Sequence, residues 1–288
     1  MNILFISDFN LNHNSGGAQV SNDIIVQRGL QLGHNITLHN YDSSPLNLIK
    51  NYDLIISSNL EAINLYSNYL IDFIINHPNH VRLEHDSCFY FSNENRELIF
   101  KSSKINFFLS QFHLDFFRNL YGDIFDNTAI VYDPIDTSLF YNDNSEKIYD
   151  IVYCGLLHEL KGLENLINFC KKNPERKVDI FGWSEDQSVI NRLSLLTNVK
   201  IHDKVSHFEI SNVYRKSKYI YHSPVVNEPF CRMVAEAILC GCEFIGDESK
   251  IGSLQEFRKY GEEEFSQRCN NAANIFWQTI QNKYEQSI

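Results

Sequence analysis

Short apolar runs alternate with helix-like patterns along almost the whole chain, and no other feature restricts its fold as strongly. In the first half, apolar runs predict strands at residues 3–7, 36–40, 54–57, 81–84, 105–109 and 129–132. Spacings of three and four residues predict helices at 18–32, 61–76, 94–101 and 111–121. This alternation is typical of a parallel sheet that is covered by helices on both faces.

The pattern restarts after a polar segment at residues 142–146, which we interpret as a linker. Strands are predicted at 151–154, 177–181, 199–202, 219–222 and 243–246, and helices at 163–172, 185–196, 208–216, 230–240 and 262–286. We therefore expect an α/β chain with two Rossmann-like domains, 1–143 and 144–260, and a C-terminal helical segment, 261–288. Ligands of such sheets bind beyond the carboxyl ends of the strands, here in a cleft between the domains.

The charge of the chain argues against a nucleic-acid partner. It has 25 Lys and Arg residues against 36 Asp and Glu residues and a net charge of −11. Binding to a nucleic-acid backbone needs a basic surface. A phosphate site must therefore be local and built from a few cations and helix ends.

The cysteines and the hydropathy pattern predict a cytoplasmic protein. The seven cysteines form no Cys-x-x-Cys pair and several lie in apolar runs, which indicates reduced thiols. No run approaches the ~18 apolar residues that would span a bilayer. Aromatic residues at 89–91 and a helix with Phe112, Phe116 and Phe117 also allow peripheral contact with a membrane, although the spacing in that helix is more typical of a core.

Two glutamates eight positions apart, Glu228 and Glu236, frame a predicted helix start. Pro229 suits the first helical position, and Glu228 then lies where the N-terminal dipole favours an anion. The helix would place Glu236 about two turns further along. The first amides of this helix, which can bind a phosphate, belong to Phe230, Cys231 and Arg232. Taken alone, the spacing favours a surface helix with two solvated glutamates, but other strand ends favour a binding site.

Those other strand ends carry glycines and polar side chains. Gly16 and Gly17 precede the first predicted helix and let the backbone approach a ligand closely. His85 follows the strand at 81–84 and can hydrogen-bond a sugar hydroxyl or a developing charge. Lys161 precedes a helix and can reach a diphosphate. Val205 lies in a loop that can hold a nucleobase through backbone groups.

Together these segments resemble the retaining nucleotide-sugar glycosyltransferases of the GT-B fold, family 4, over nearly the whole chain. Five motifs carry the resemblance, in the expected order: the glycine-rich loop at 16–18, the histidine segment at 85–86, the domain-closing segment at 131–136, the strand and Lys-Gly turn at 153–162, and the paired glutamates Glu228 and Glu236. The resemblance implies two Rossmann-like domains facing a central cleft, with a C-terminal helix that crosses back onto the first domain.

The resemblance also implies roles for the residues of the second half. Glu236 would bind the ribose hydroxyls of the donor, and Glu228 the hydroxyls of the transferred sugar. Lys161, together with the amides of residues 230–232, would hold the diphosphate. A lysine and a helix N-terminus can stabilise the charge that develops on the leaving nucleoside diphosphate without a metal ion.

In the first half, the resemblance implies that Gly16 and Gly17 approach the phosphates and that His85 binds the donor sugar or helps to shape the transition state. The implied reaction retains the anomeric configuration. It transfers a sugar from a UDP-, GDP- or ADP-sugar to a glycan, a lipid-linked glycan or another hydroxyl acceptor. We expect no cofactor and no metal, because the sequence has no Asp-x-Asp pair.

Two positions depart from the family pattern. Leu156 stands where the family usually has an arginine after the glycine of the second-domain strand, so that Arg232 or His158 would have to compensate. Losing a charge-assisted contact typically costs about 1.5–3 kcal/mol. Cys231 stands where the family commonly has glycine, at the phosphate cradle.

Three alternatives follow. A catalytically weak homologue could serve as a sugar-nucleotide-binding partner subunit, an interpretation that Leu156 supports and that the retained Glu228, Glu236, Lys161 and His85 oppose. Another GT-B enzyme, such as an inverting transferase or an epimerase, conflicts with the paired glutamates. A dehydrogenase fits poorly, because no Gly-x-Gly-x-x-Gly follows the first strand.

Overall fold

A computed structural model describes residues 1–8, 16–40, 51–59, 67–87, 94–125 and 127–285. The chain forms two compact units: unit 1 consists of Met1–Pro134 with Arg268–Ile288, and unit 2 of Ile135–Gln267. The first boundary falls before residue 143 because Ile135 and Phe140 are buried and Phe140 packs against His207 of unit 2. The second falls after residue 260 because Phe265 stacks on Phe230, also in unit 2.

Unit 1 contains a six-stranded parallel sheet in the order β2-β1-β3-β4-β5-β6. The strands are β1 Asn2–Ser7, β2 Asn35–His39, β3 Leu54–Ser58, β4 His80–Leu83, β5 Ile105–Phe108 and β6 Thr128–Ile130. In the register, Ile3 pairs with Ile36 on one side and Leu54 on the other. The central strands are buried on both faces, which is why they read as continuous apolar runs rather than as an alternating pattern.

In the described part of unit 1, the helices that connect these strands are α1 Gly17–Gln31, α2 Asn68–Asn76, α3 Glu94–Ser102 and α4 Gln111–Tyr121. The hydroxyls of Ser67 and Ser110 cap α2 and α4. The first six residues of the predicted helix 61–76, and the aromatic residues 89–91, lie outside the described residues. In α4, Phe117 is buried among Phe100, Phe108 and Tyr121, as its spacing indicated.

Unit 2 contains a five-stranded parallel sheet in the order β11-β10-β7-β8-β9. Its strands are β7 Tyr149–Leu156, β8 Val178–Trp183, β9 Val199–Ile201, β10 Ser217–His222 and β11 Glu243–Gly246. The helices between them are α5 Leu163–Lys172, α6 Gln187–Ser194, α7 His207–Arg215 and α8 Arg232–Leu239. Since all strands are parallel, the segments that follow β7, β8, β9 and β10 meet at one edge of the sheet.

The prediction of one long helix at 262–286 is wrong. Helix α9 spans Gly252–Asn270 and α10 spans Ala272–Glu285. Within α9 the chain leaves helical geometry at Gly261, whose φ of 77° is accessible because glycine has no Cβ. Helix α10 packs on α1, and the Trp277 indole donates to the carbonyl of Ile25 at 2.8 Å. The Trp277 ring lies against Gly29, where a Cβ would be only 2.4 Å from the ring.

The described cysteines and helices agree with the sequence pattern. Six cysteines are reduced thiols, and all but the half-buried Cys231 are buried. Burial raises the pKa of Cys170 to about 11 and that of Cys242 to about 12. In the described part of the chain, none of the helices is long and apolar enough to cross a bilayer.

Candidate functional site

The first element of the candidate site follows the end of β7. After β7 the chain makes a short 3-10 turn at Glu159–Lys161, and Gly162 then takes a left-handed conformation with φ 83°. A Cβ at Gly162 would lie 1.9 Å from the carbonyl oxygen of Ser223, so only glycine allows this close approach between the two segments. The approach places Lys161 beside the segment that follows β10.

Glu228 lies in that segment and is fixed by its backbone. Its amide donates to the carbonyl of Lys250 at 2.8 Å, and its own carbonyl accepts from Gly252 at 3.0 Å. The side chain is almost fully buried. Lys161 Nζ donates to Glu228 Oε1 at 2.7 Å, and His222 Nε2 lies 3.4 Å from the same oxygen.

These partners keep the Glu228 carboxylate charged. Burial alone would raise its pKa, but the Lys161 ammonium and the His222 imidazole outweigh burial and lower that pKa to about 2. The Lys161 side chain is 42% exposed, whereas that of Glu228 is only 11% exposed. The ammonium therefore covers a buried anion from the solvent side.

The predicted helix start is wrong by two residues. Helix α8 begins at Arg232 rather than at residue 230, so that Pro229 and Phe230 precede it. The Phe230 side chain is buried and stacks on Phe265, with the ring centroids 6.0 Å apart. Glu228 is consequently not placed next to the first helical turn, and the expected interaction of its carboxylate with the helix dipole does not apply.

Cys231 explains where the helix starts. As the residue before α8 it has φ 67° and ψ 77°, in the left-handed region that favours glycine.

Cys231 is also one of three chemically different side chains that converge here. One ligand atom each from His222, Glu228 and Cys231 lie within 4.8 Å of one another. Nitrogen, oxygen and sulfur ligands of this kind suit a borderline cation such as Zn²⁺.

Glu236, which lies on α8, is the second buried carboxylate of the site. Its Oε1 accepts from Arg232 Nε at 2.7 Å and lies 2.9 Å from His207 Nε2. Arg232 is the residue four positions earlier on the same helix, and its side chain is largely buried. His207 is half-exposed and begins α7. Both contacts go to one oxygen, which orients the carboxylate.

The loop between β9 and α7, with Val205 in its centre, ends just before His207, the residue that contacts this carboxylate. At its start, His202 Nε2 is 2.6 Å from Asp179 Oδ1, and its ring stacks on Phe181. At its end, Ser206 caps α7 in a capping box with Glu209. The half-buried Val205 is therefore held from both sides.

In unit 1, Gly16 and Gly17 are exposed at the start of α1. Gly16 is the residue before the helix and Gly17 is its first residue. A Cβ at Gly16 would lie 2.3 Å from Gln19 Oε1, but this atom ends a flexible side chain that can move aside. The residues that join β1 to Gly16, at 9–15, lie outside the described part.

His85 lies at the carboxyl edge of the unit-1 sheet, just after β4, and is buried. Its Nε2 is 2.9 Å from Asn22 Oδ1, which also accepts the hydroxyl of Ser58 at 2.8 Å. Because that oxygen only accepts, the neutral imidazole carries its proton on Nε2, and Nδ1 faces Asp133 Oδ1 at 3.8 Å. Burial lowers the pKa of His85, while the Asp133 carboxylate acts in the opposite direction.

An ionised carboxylate lies one residue before His85. Glu84 is buried and accepts from the Arg82 guanidinium. Burial alone would raise the pKa of Glu84, but Arg82 and Arg96 outweigh burial and lower that pKa to about 2. Glu84 Oε1 in turn accepts from the backbone amide of His85 at 3.2 Å. This fixed charge holds the backbone that carries the histidine.

The structure thus brings Lys161 together with Glu228, and Arg232 with Glu236, all in unit 2. Gly16, Gly17 and His85 lie in unit 1. Sequence reasoning missed four of the contacting residues: Asn22, Asp133, His207 and His222. Asp133 and His222 lie in segments that the sequence had already marked, at 131–136 and 219–222, but neither side chain was singled out.

Just under half of the chain matches a known family. Residues 136–275 match the family model described as glycosyl transferases group 1. The matched segment contains both glutamates of unit 2, Glu228 and Glu236, and Lys161. A sequence search of curated proteins finds no match.

Several solved structures share the fold of the whole chain. HepE of Anabaena, in complex with UDP and glucose, gives a TM-score of 0.65 at 18% identity and covers 100% of this chain and 99% of its own. Sucrose-phosphate synthase from Thermosynechococcus elongatus gives 0.69 at 13% identity, covering 99% and 97%. WaaG, a glycosyltransferase of lipopolysaccharide biosynthesis, gives 0.62 at 14% identity, covering 94% and 90%. Residues 136–275 are therefore similar to the glycosyl transferases group 1 family, and the chain has the GT-B glycosyltransferase fold.

Proposed function

We propose that the chain is a retaining glycosyltransferase of family 4, which transfers a hexose from a UDP-, GDP- or ADP-sugar to a glycan or lipid-linked glycan in the cytoplasm, without a metal ion. One observation carries the proposal. The buried, ionised Glu228 is paired with Lys161 at the carboxyl edge of the unit-2 sheet, inside the segment that matches the family. HepE, a structural neighbour, has been solved with UDP-glucose.

Glu228 has the properties of a sugar ligand. A carboxylate that is charged at neutral pH accepts hydrogen bonds from two neighbouring hydroxyls. When the hydroxyls of the donor sugar occupy Glu228, Lys161 can turn toward the diphosphate, because its long side chain already reaches solvent.

Lys161 would then act on the leaving group. Breaking the bond between sugar and phosphate leaves negative charge on the nucleoside diphosphate, and a fixed ammonium lowers the energy of that state. The acceptor hydroxyl attacks from the same face that the leaving group vacates and passes its proton to the departing phosphate oxygen, so the anomeric configuration is retained without a nucleophile from the protein. His85, held by Asn22, would contact the donor sugar.

Glu236 would bind the ribose. Arg232 and His207 hold its Oε1 and so fix the plane of the carboxylate for a pair of ribose hydroxyls. Gly16 and Gly17 at the start of α1 would approach the phosphates, and the backbone near Val205 the base.

Calorimetric binding of UDP, GDP and ADP tests the donor site, first in excess chelator and then with Mg²⁺. One nucleotide should bind selectively without metal, and Glu236→Gln should weaken it about tenfold through the lost charge-assisted contacts. The matched control is Glu164→Gln, because Glu164 is an exposed glutamate on α5 that is paired with Arg192. If the folded protein binds none of the three nucleotides, the proposed function is overturned.

Metal independence and retention need separate measurements. Transfer should continue in excess chelator, and complete loss that Mn²⁺ restores would contradict the metal-free mechanism. The anomeric configuration of the product, determined by NMR, distinguishes a retaining from an inverting enzyme.

A second candidate function is a catalytically weak homologue that binds sugar nucleotides as a partner subunit. Leu156 favours it, since the two candidates for supplying the missing charge are already engaged. His158 Nδ1 accepts from the amide of Leu160 at 3.2 Å, and Arg232 is tied to Glu236. Nucleotide binding without turnover on any donor would select this alternative.

A further inference from the structure

Trp183 is a large aromatic residue that is exposed beside the candidate site. As the last residue of β8 it lies at the carboxyl edge of the unit-2 sheet, and it is 40% exposed. Its register partner on β7 is Leu156, which follows Gly155. Among the described residues, no atom would lie within 4 Å of a Cβ at Gly155, so this part of the edge is open.

A cation and a fixed loop adjoin the indole. Lys204 Nζ lies 5.7 Å from the centroid of the Trp183 ring. The backbone around Lys204 is held at one end by the contact of His202 with Asp179 and at the other by the capping box at Ser206. The surface formed by Trp183 and Lys204, which we call the indole platform, is therefore built on a rigid support.

The same loop connects the indole platform to Glu236. His207, whose Nε2 lies 2.9 Å from Glu236 Oε1, is three residues after Lys204. Three residues span at most about 10 Å, which is comparable to the length of a nucleoside. A ribose bound at Glu236 can therefore direct its base along this loop toward Trp183.

We propose that the indole platform stacks the nucleobase of the donor, with Trp183 covering one face of the base and Lys204 contacting its polar edge. The inference rests on the proposed function, because it assumes that a nucleotide binds with its ribose at Glu236. Stacking on an indole accepts any base, since every base presents a π face. Trp183 is thus a base-positioning residue rather than one that takes part in sugar transfer.

The two tryptophans of the chain make this inference directly measurable. Trp277 is fully buried in unit 1, where its indole is bound to Ile25. Nucleotide that stacks on unit 2 should therefore quench the emission of Trp183 alone. We would titrate the full chain with UDP, GDP and ADP, and with pyrophosphate as a probe that has no base, and follow each by fluorescence and by calorimetry.

We expect the nucleotide that binds in the calorimeter to quench the emission with the same midpoint, and pyrophosphate not to quench it. Trp183→Phe should abolish the quenching but retain most of the affinity. Trp183→Ala should weaken nucleotide binding about five- to a hundredfold and leave pyrophosphate binding unchanged. Tyr69→Ala, which removes an exposed aromatic residue from α2, is the matched control and should change neither signal.

The outcomes separate the two proposals. Nucleotide binding without quenching, together with wild-type affinity in Trp183→Ala, would overturn the indole platform and leave the donor site intact. Equal losses of nucleotide and pyrophosphate affinity in Trp183→Ala would also overturn it, because they indicate a structural role. Absence of nucleotide binding in the wild type would contradict the proposed donor site itself.

Discussion

Replacing Glu228 by glutamine should remove part of the acid sensitivity of the protein. The pKa of Glu228 falls from an ordinary 4.5 to about 2 in the folded chain, because Lys161 and His222 outweigh the effect of burial. A folded-state pKa below the unfolded value stabilises the protein above the unfolded pKa, and this stability is lost as the pH falls toward the folded pKa. The relevant window is therefore between about pH 4.5 and pH 2. Glutamine has no proton to bind, so Glu228→Gln does not show this dependence.

The magnitude follows from the two pKa values. At pH 3 the carboxyl is mostly protonated in the unfolded chain but still mostly ionised in the folded one. This difference in bound protons corresponds to about 2 kcal/mol of stability lost between pH 7 and pH 3. At pH 7, Glu228→Gln should be less stable than the wild type, since Lys161 and His222 lose their anion. The gap between the two proteins should narrow by about 2 kcal/mol at pH 3.

Urea unfolding followed by circular dichroism at pH 7 and pH 3 measures this gap. The matched control is Glu97→Gln, which removes an equally short ion pair, 2.6 Å from Lys101, in which both side chains are about half-exposed. Exposed pairs contribute between zero and about 1 kcal/mol, so the control should show almost no change with pH. If Glu228→Gln unfolds with the pH dependence of the wild type, the buried ion pair does not hold Glu228 ionised and the reasoning fails.

Substitutions at three further positions test the backbone and charge of the site. Gly162→Ala should lower the melting temperature more than Gly33→Ala. Both glycines have positive φ, but only a Cβ at Gly162 would lie 1.9 Å from a carbonyl oxygen. Equal decreases in melting temperature would contradict the steric argument. Cys231→Gly should be at least as stable in urea as the wild type, because left-handed backbone costs a residue with a Cβ about 1–2 kcal/mol, and the β-branched Cys231→Val should be less stable than both. Leu156→Arg should tighten calorimetric binding of pyrophosphate about tenfold, and no gain would indicate that a diphosphate does not bind beside Leu156.

The sequence predicted most elements because their causes are local. The bounds of α4, α5 and β11 agree with the predicted ranges 111–121, 163–172 and 243–246 to the residue. The central strands were found because a strand buried on both faces must be apolar at every position. The GT-B fold is confirmed by the order of these elements in both sheets and by the solved neighbours.

The failures lie where backbone conformation departs from what residue type predicts. A cysteine rarely adopts positive φ, so the sequence placed the start of α8 at Pro229 and Phe230 rather than after Cys231. In the C-terminal segment the predicted start at 262 agrees with the departure from helical geometry at Gly261, but the helical residues before Gly261 and the break at residue 271 were not predicted.

The polar contacts of the site escaped prediction for a different reason. His85 meets Asn22 across 63 positions of sequence, and Glu236 meets His207 across 29. Such pairs are set by the order of strands in the sheet and by the side of each helix that faces it. A single sequence contains no periodic signal for either. Strand ends can therefore be ranked as candidates, but their partners cannot.

The leucine at position 156 leaves Lys161 with two proposed tasks. With leucine at position 156, the lysine that neutralises Glu228 is also the proposed cation for the diphosphate. It cannot serve both anions at full strength, and an uncompensated buried carboxylate is costly. The donor sugar resolves this conflict, because its hydroxyls can satisfy Glu228 while the ammonium moves to the phosphates. A nucleoside diphosphate without its sugar offers no such exchange. The site should therefore bind the complete nucleotide sugar more tightly than the product nucleotide. Lys161 then couples binding of the sugar at Glu228 to binding of the diphosphate.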